Sequence, residues 1–341
     1  MQDNPISKLV RANILALEPY TSYRDTLKEG SYTLLDANEN PFGDYNRYPD
    51  STQKVLKERL SGIKGISAKQ ITIGNGSDEL IDLIVKIFCE PNKDAIVVMN
   101  PSFAMYEFYA KVNGNEVIKL NLNTDFQLSK EEFLAKTNVE NAKVLFLCSP
   151  NNPTGNSVND IEFYIQNFKG IVVVDEAYIE FSDKESMLSK INNYDNVIVL
   201  QTLSKAWGLA GLRIGMAFSS EFIINLINTV KSPYNISDIN SKTALKELAY
   251  RDVFTLKMNN IKLQKEKLLQ VLTKAKCVKK VYPSDANFFL VEFINVENVY
   301  DIFLSQKILT SKRFPSIPNT LRINIGTNEE NEKLIKIINM I

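Results

Sequence analysis

The chain is 341 residues long, with 40 Lys plus Arg balanced by 40 Asp plus Glu, 44% hydrophobic and 23% charged residues, so about two globular domains sharing one extensive core are expected. Disorder and a broadly basic nucleic-acid binder are excluded by that balance. Histidine is absent, which removes Ser-His-Asp and Cys-His nucleophile systems, His-ligated zinc, facial-triad iron and HExxH hydrolysis together.

Acid–base chemistry must therefore rest on Lys, Tyr, Asp, Glu, Cys or a cofactor. Cys89, Cys148 and Cys277 are far apart and odd in number, so neither a disulfide framework nor a CxxC motif is expected, and no metal site. Residues 1–20 carry no basic stretch leading into an apolar h-region, and no apolar run approaches the roughly 18 residues of a membrane span. A cytoplasmic protein without membrane or nucleic-acid partners is the expectation.

In chain order, residues 1–44 fit no strand–helix alternation and read as an arm joining a smaller unit or a partner subunit. From Ile71 to Phe218, β-rich runs alternate with helical stretches: Ile71–Ile73, Ala95–Met99, Glu116–Leu120, Val144–Cys148, Ile171–Val174, Val197–Leu200 and Ile214–Phe218. Runs such as Ile171-Val172-Val173-Val174 are apolar throughout, the mark of strands covered on both faces, so an α/β core of about seven mostly parallel strands is predicted. Residues 222–276 read as helical, and Asn287–Phe293 and Leu321–Ile325 as strands of a smaller α+β unit.

Four segments at the ends of predicted strands carry candidate chemistry. Gly74-Asn75-Gly76-Ser77-Asp78-Glu79 leads into a helix with Ser77 as expected N-cap, and its backbone N–H groups suit one phosphate. Glu79 stands where a dinucleotide fingerprint needs glycine, which disfavours a nicotinamide dehydrogenase. Ser149-Pro150-Asn151-Asn152-Pro153-Thr154-Gly155 is a turn able to present the Asn152 amide inward. Val174-Asp175-Glu176-Ala177-Tyr178 puts a carboxylate at the C-terminal end of the most apolar strand, where open α/β sheets bind ligands.

The fourth segment, Thr202–Gly215, sets Lys205 among small and apolar residues beside the single Trp. A lysine desolvated there has a depressed pKa and can form a Schiff base. These parts match a pyridoxal-phosphate site: Asp175 would keep the pyridine nitrogen protonated, and Asn152 and Tyr178 would donate to the phenolate oxygen. Ser204 and Arg213 would complete a phosphate cup begun by Ser77 and Asp78. Taken singly, each segment also reads as a turn, a capped helix, a loop Asp or a surface Lys; their joint occurrence in this order at strand ends carries the argument.

The segments resemble the fold-type I pyridoxal-phosphate aminotransferases. SPNNPTG (149–155), VDEAYIEF (174–181) and TLSKAWGLAGLRIG (202–215) carry that likeness. LEPY (17–20), LDANENPFG (35–43) and NRYPD (46–50) are similar to the histidinol-phosphate branch, and the match extends from Val10 to Thr327. The resemblance implies an α/β fold with a mostly parallel seven-stranded sheet flanked by helices and a smaller α+β domain. It is divided as an arm (1–44), a large cofactor-binding domain (45–235) and a small C-terminal domain (236–341).

It further implies Lys205 as the internal-aldimine lysine and base, assisted by Asp175 and Tyr178. Phe103 would stack on the cofactor ring, with Tyr106 as the alternative. Tyr48 would reach the neighbouring subunit's cofactor phosphate in a homodimer. Substrate contacts fall on Tyr20, Asn40 and Arg322, with Arg313 preferred over Lys312 for a substrate phosphate. The implied reaction moves the amino group of L-histidinol phosphate to 2-oxoglutarate, giving imidazole-acetol phosphate and L-glutamate. Threonine-phosphate decarboxylation and aromatic or aspartate transamination are the neighbouring alternatives.

Overall fold

The central strands form because they are buried on both faces: Ile171, Val172, Val173 and Val174 have no exposed surface, and neither do Val197, Ile198, Val199 and Leu200. The computed structural model describes residues 4–27 and 30–341. Seven strands make the larger sheet: β1 (Ile71–Asn75), β2 (Ala95–Asn100), β3 (Glu116–Asn121), β4 (Ala142–Cys148), β5 (Ile171–Asp175), β6 (Val197–Thr202) and β7 (Ile214–Phe218). Their order is β1-β7-β6-β5-β4-β2-β3, with β7 antiparallel to both of its neighbours and the other pairs parallel. All seven predicted runs are present.

Helix Gly76–Phe88 crosses this sheet with Leu80, Ile81, Ile84, Val85 and Ile87 buried, apolar on more than one face as a helix sunk in the core must be. The predicted N-cap is displaced. Asn75 occupies the cap position and Ser77 lies inside the first turn, because the Glu79 carboxylate accepts the Asn75 N–H and takes over the capping work.

The smaller sheet is antiparallel, in the order β10-β11-β9-β8, from β8 (Val278–Val281), β9 (Phe288–Phe293), β10 (Ser311–Lys312) and β11 (Thr320–Asn324). A separate core containing Leu268, Phe289, Val291, Phe303, Leu321 and Leu334 supports it. Helix Arg251–Leu272, about 33 Å long, links the two units, with Leu268 and Leu272 in the smaller core. A third cluster seals the seam: Tyr178, Phe181 and Ala206 of the larger unit meet Met258, Ala286 and Phe288.

Packing departs from the sequence-based division in two places. Ile6, Val10 and Ile14, spaced four apart, sit in the larger core rather than the smaller one, and the Arg11 guanidinium holds them there by donating to Lys86 O at 2.9 Å. Ala244 and Leu248, beyond the expected boundary at 236, also belong to the larger core, and Arg59 donates to Leu248 O at 2.7 Å. Residues 17–27 and 30–48 belong to neither core, and are pinned by Arg24 to Asp36 and Glu39 and by Arg47 to Glu39. Among the described residues no helix is long and apolar enough to cross a membrane.

Candidate active site

The C-terminal ends of β2, β4, β5 and β6 open onto one cavity of about 380 Å³, floored by the sheet and roofed by Arg313 and Arg322 of the smaller unit. Ligand sites of open α/β sheets lie at that edge because the strand ends leave backbone groups and side chains free to converge. Ser77, Asp78, Phe103, Asn152, Asp175, Tyr178, Ser204, Lys205 and Arg213, all expected from sequence, line it together.

Asp175 ends β5 and is buried. Its carboxylate accepts from the Tyr106 hydroxyl at 2.6 Å and the Ala177 N–H at 3.0 Å. Burial pushes its pKa above the ordinary carboxylate range, and the Tyr106 and Ala177 hydrogen bonds offset this only in part. Lys205 follows β6, with Nζ 5.6 Å from the Tyr178 ring centroid. The cavity walls desolvate its amine and lower its pKa, and the nearby Arg322 charge lowers it further. A desolvated lysine with a depressed pKa offers the uncharged amine that Schiff-base formation needs.

The opposite end is shaped for a phosphate. Arg213 sits at positive φ after the turn Ala210–Leu212 and pairs with Asp78 at 3.1 Å. Gly76 (φ +75°) and Gly215 are required here: a Cβ on the first would collide with the Arg213 guanidinium, and on the second with the Gly76–Ser77 backbone. Helix Gly76–Phe88 starts at this point, and its first-turn N–H groups and dipole favour an anion. Thr202 and Ser204, whose hydroxyls are 3.0 Å apart, add oxygen donors.

Between the two ends, Asn152 accepts a hydrogen bond from Arg322 Nη1, while Arg322 Nε is buried without a partner. An unpaired guanidinium donor in a cavity is a ready carboxylate site. Arg313 lines the same roof, its donors turned to Lys312 O and Ser311 Oγ at 2.6 and 2.8 Å. Burial and the Arg322 charge lower its pKa. Lys312 does not line the cavity; its ammonium lies 4.1 Å from the Tyr300 ring centroid.

The ring-stacking alternatives also separate. Phe103 lines the cavity, whereas Tyr106 is buried beneath it, stacked on Phe146 at 4.5 Å and bonded to Asp175, so it is not available to a ligand. Tyr20, Asn40 and Tyr48 lie outside the chain's own cavity. Tyr48 stacks on Tyr234 with centroids 4.5 Å apart, and Asn40 accepts the Phe42 N–H at 3.0 Å. Ser102, Cys148 and Thr202 line the cavity without having been singled out. Their position next to the chosen motifs, at the same strand ends, was the available signal.

Pyridoxal 5′-phosphate fits this donor set. A ring N–H cation would meet the Asp175 carboxylate, whose hydrogen bonds come only from neutral groups, and a phosphate would meet the glycine-built cup and Arg213. Among the described residues no group of three or more Asp, Glu or Cys is placed to hold a metal ion.

Comparison with known proteins agrees. The family model described as aminotransferase class I and II matches residues 15–338. Histidinol-phosphate aminotransferase from Flavobacterium johnsoniae is 43% identical over 344 residues, covering 98% of each chain. That from Parabacteroides distasonis is 44% identical over 335 residues, covering 97% of each. The crystal structure of histidinol-phosphate aminotransferase from Sinorhizobium meliloti in complex with pyridoxal-5′-phosphate superposes with a TM-score of 0.79 at 23% identity, covering 86% of this chain and 82% of that one. The chain belongs to the class I and II aminotransferase family, alongside its histidinol-phosphate aminotransferases.

Proposed function

We propose that the protein transfers the amino group of L-histidinol phosphate to 2-oxoglutarate, forming imidazole-acetol phosphate and L-glutamate, as a cytoplasmic step of histidine biosynthesis. The observation that carries the proposal is the meeting of Lys205, Asp175 and Arg322 in one cavity. Bound there, pyridoxal phosphate supplies an electron sink that makes the proton on the amine-bearing carbon removable.

The chain's own residues do the rest. Lys205 Nζ would anchor the cofactor and, when free, serve as the base for the proton on the substrate's amine-bearing carbon. Burial in the cavity and the nearby Arg322 charge lower its pKa, which favours the uncharged amine over an ordinary surface lysine. Asp175 holds the ring nitrogen proton, Asn152 and Tyr178 donate to the phenolate oxygen, and Phe103 covers the ring face. Ser77, Asp78 (through backbone N–H groups), Ser204 and Arg213 hold the phosphate. Arg322 takes the carboxylate of glutamate or 2-oxoglutarate, and Arg313 the phosphate of histidinol phosphate. Both half-reactions use one cavity, so the kinetics are ping-pong.

The catalytic unit is a homodimer in this reading. The arm leaves Tyr23, Leu35 and Phe42 largely exposed, as is Tyr45 just after it, surface that a second copy would cover. Tyr48 then reaches the neighbouring cofactor phosphate, and Tyr20 and Asn40 the neighbouring substrate.

The test is direct. The purified protein with pyridoxal phosphate, histidinol phosphate and 2-oxoglutarate should release glutamate. Carbon dioxide from phosphothreonine, with no glutamate from histidinol phosphate, would make it a decarboxylase instead.

A further inference from the structure

We infer that Asn151 is a positioning residue for this reaction: it clamps the loop carrying Phe103 to the turn carrying Asn152. The inference rests on the reading in which Phe103 covers the cofactor ring and Asn152 donates to its phenolate oxygen. Asn151 itself is fully buried and does not line the cavity.

Its side chain is the junction of two loops. Oδ1 accepts from Ser102 Oγ at 2.8 Å, and Nδ2 donates to Pro101 O at 3.0 Å. The same Nδ2 donates to Thr154 Oγ1, also buried, at 2.7 Å. The main chain of Asn151 closes the turn, its N–H donating to Asn156 O at 2.8 Å and its carbonyl accepting from the Gly155 N–H at 2.7 Å. One amide therefore spends its oxygen and both of its N–H groups on holding Pro101-Ser102 against Asn151–Thr154.

The clamp is needed because the backbone does not supply one. The ladder between β2 and β4 ends at Val98 and Phe146, and both ligand-facing residues lie beyond it. Phe103 is one residue past Ser102, and Asn152 one residue past Asn151, so an angular slip at the clamp moves both cavity groups. The turn is also tied to the smaller unit, where Asp285 N–H donates to Gly155 O at 2.7 Å and the Asp285 carboxylate accepts the Ser157 N–H at 3.1 Å. Loops that support a site from behind in this way fix its geometry without touching the ligand.

The test compares Asn151→Ala with wild type and Asn152→Ala in the cofactor-loaded enzyme. Misplacement of supported groups costs about tenfold to a hundredfold in rate, so kcat should fall by that factor with KM for histidinol phosphate moving less than about threefold. The pH midpoint of the bound cofactor's visible absorbance should shift in the same direction as in Asn152→Ala. Amide hydrogen exchange of a peptide spanning 98–106 should speed up, although the substitution lies about fifty residues away in the chain.

Wild-type kcat, midpoint and exchange in Asn151→Ala, or a loss of thermal stability alone, would overturn the inference. A flat midpoint in Asn152→Ala removes that residue's contact with the phenolate oxygen, and is told apart from failure of the clamp by kcat and exchange. Should Asn151→Ala not fold, Ser102→Ala and Thr154→Val each delete one of the bonds. A lowered kcat with faster exchange in both supports the clamp, and wild-type behaviour in both overturns it.

Discussion

Tyr106 donates a 2.6 Å hydrogen bond to Asp175 from a ring that lies flat on Phe146, beneath the cavity rather than in it. The hydroxyl stabilises the charged carboxylate, so Tyr106→Phe should keep the packing and lose the bond. The expected cost is about 2 kcal/mol of stability in the cofactor-free protein, with kcat within about tenfold of wild type. Urea denaturation and a glutamate-release assay measure the two quantities.

Asp175→Asn should separate stability from function. The folded chain holds this carboxyl proton more tightly than the unfolded chain does, because burial raises its pKa. Its contribution to stability therefore falls as pH rises from the ordinary carboxylate value through the raised one. The neutral amide lacks that dependence. Cofactor-free Asp175→Asn should be at least as stable as wild type at pH 7, while turnover drops more than about a hundredfold. A variant that kept wild-type turnover would remove Asp175 from the mechanism.

Lys205→Ala should lose both anchoring and proton transfer. Turnover is expected to fall more than about a thousandfold. Borohydride reduction followed by peptide mass spectrometry should find pyridoxyl-Lys205 in the wild type and no labelled peptide in the variant.

The two roof arginines should part company kinetically. Arg322→Lys loses the planar fork and its unpaired Nε donor, so KM for 2-oxoglutarate should rise about ten- to a hundredfold. Arg313→Ala should act chiefly on KM for histidinol phosphate. Steady-state kinetics with each substrate varied in turn would read the split, and identical profiles for the two variants would contradict the assignment.

Lys231 provides a pH signature away from the cavity. Its ammonium is buried after helix Glu221–Val230 and donates to Gln53 Oε1 at 2.9 Å and Ile73 O at 3.2 Å. Burial, with repulsion from Lys57, lowers its pKa from 10.5 to about 8. Between those values the unfolded chain binds the extra proton, so stability gains about 3 kcal/mol as pH rises from 8 to 10.5 and is lost as it falls back. Lys231→Met should lack that rise, which denaturation midpoints across the window would detect.

Much of this site was legible because its residues follow apolar runs. Asp175, Lys205 and Asn152 each stand just past a run whose two-sided burial announces a strand, and the strand-end rule places them together. Strands β8 and β10 escaped notice for the converse reason: Lys279, Lys280 and Lys312 give short, polar, partly exposed segments no periodic pattern. Ser77 was misplaced as a cap because the competing carboxylate of Glu79 lies four residues past Asn75, a choice settled only in three dimensions. Asn151 and Tyr106 act from inside the fold, and no local pattern distinguishes a buried hydrogen-bonding hub from an ordinary turn residue or core aromatic.

The two glycines at the phosphate cup divide the cavity into parts with different evolutionary freedom. Backbone meets backbone at Gly215, and guanidinium meets backbone at Gly76, so that end tolerates no added carbon. The roof is built from the side chains of Arg322 on β11 and Arg313 just past β10. Redesign toward other amines therefore belongs at Arg313 and its neighbours, where a change of reach or charge alters what is admitted while the cofactor's seat stays in place.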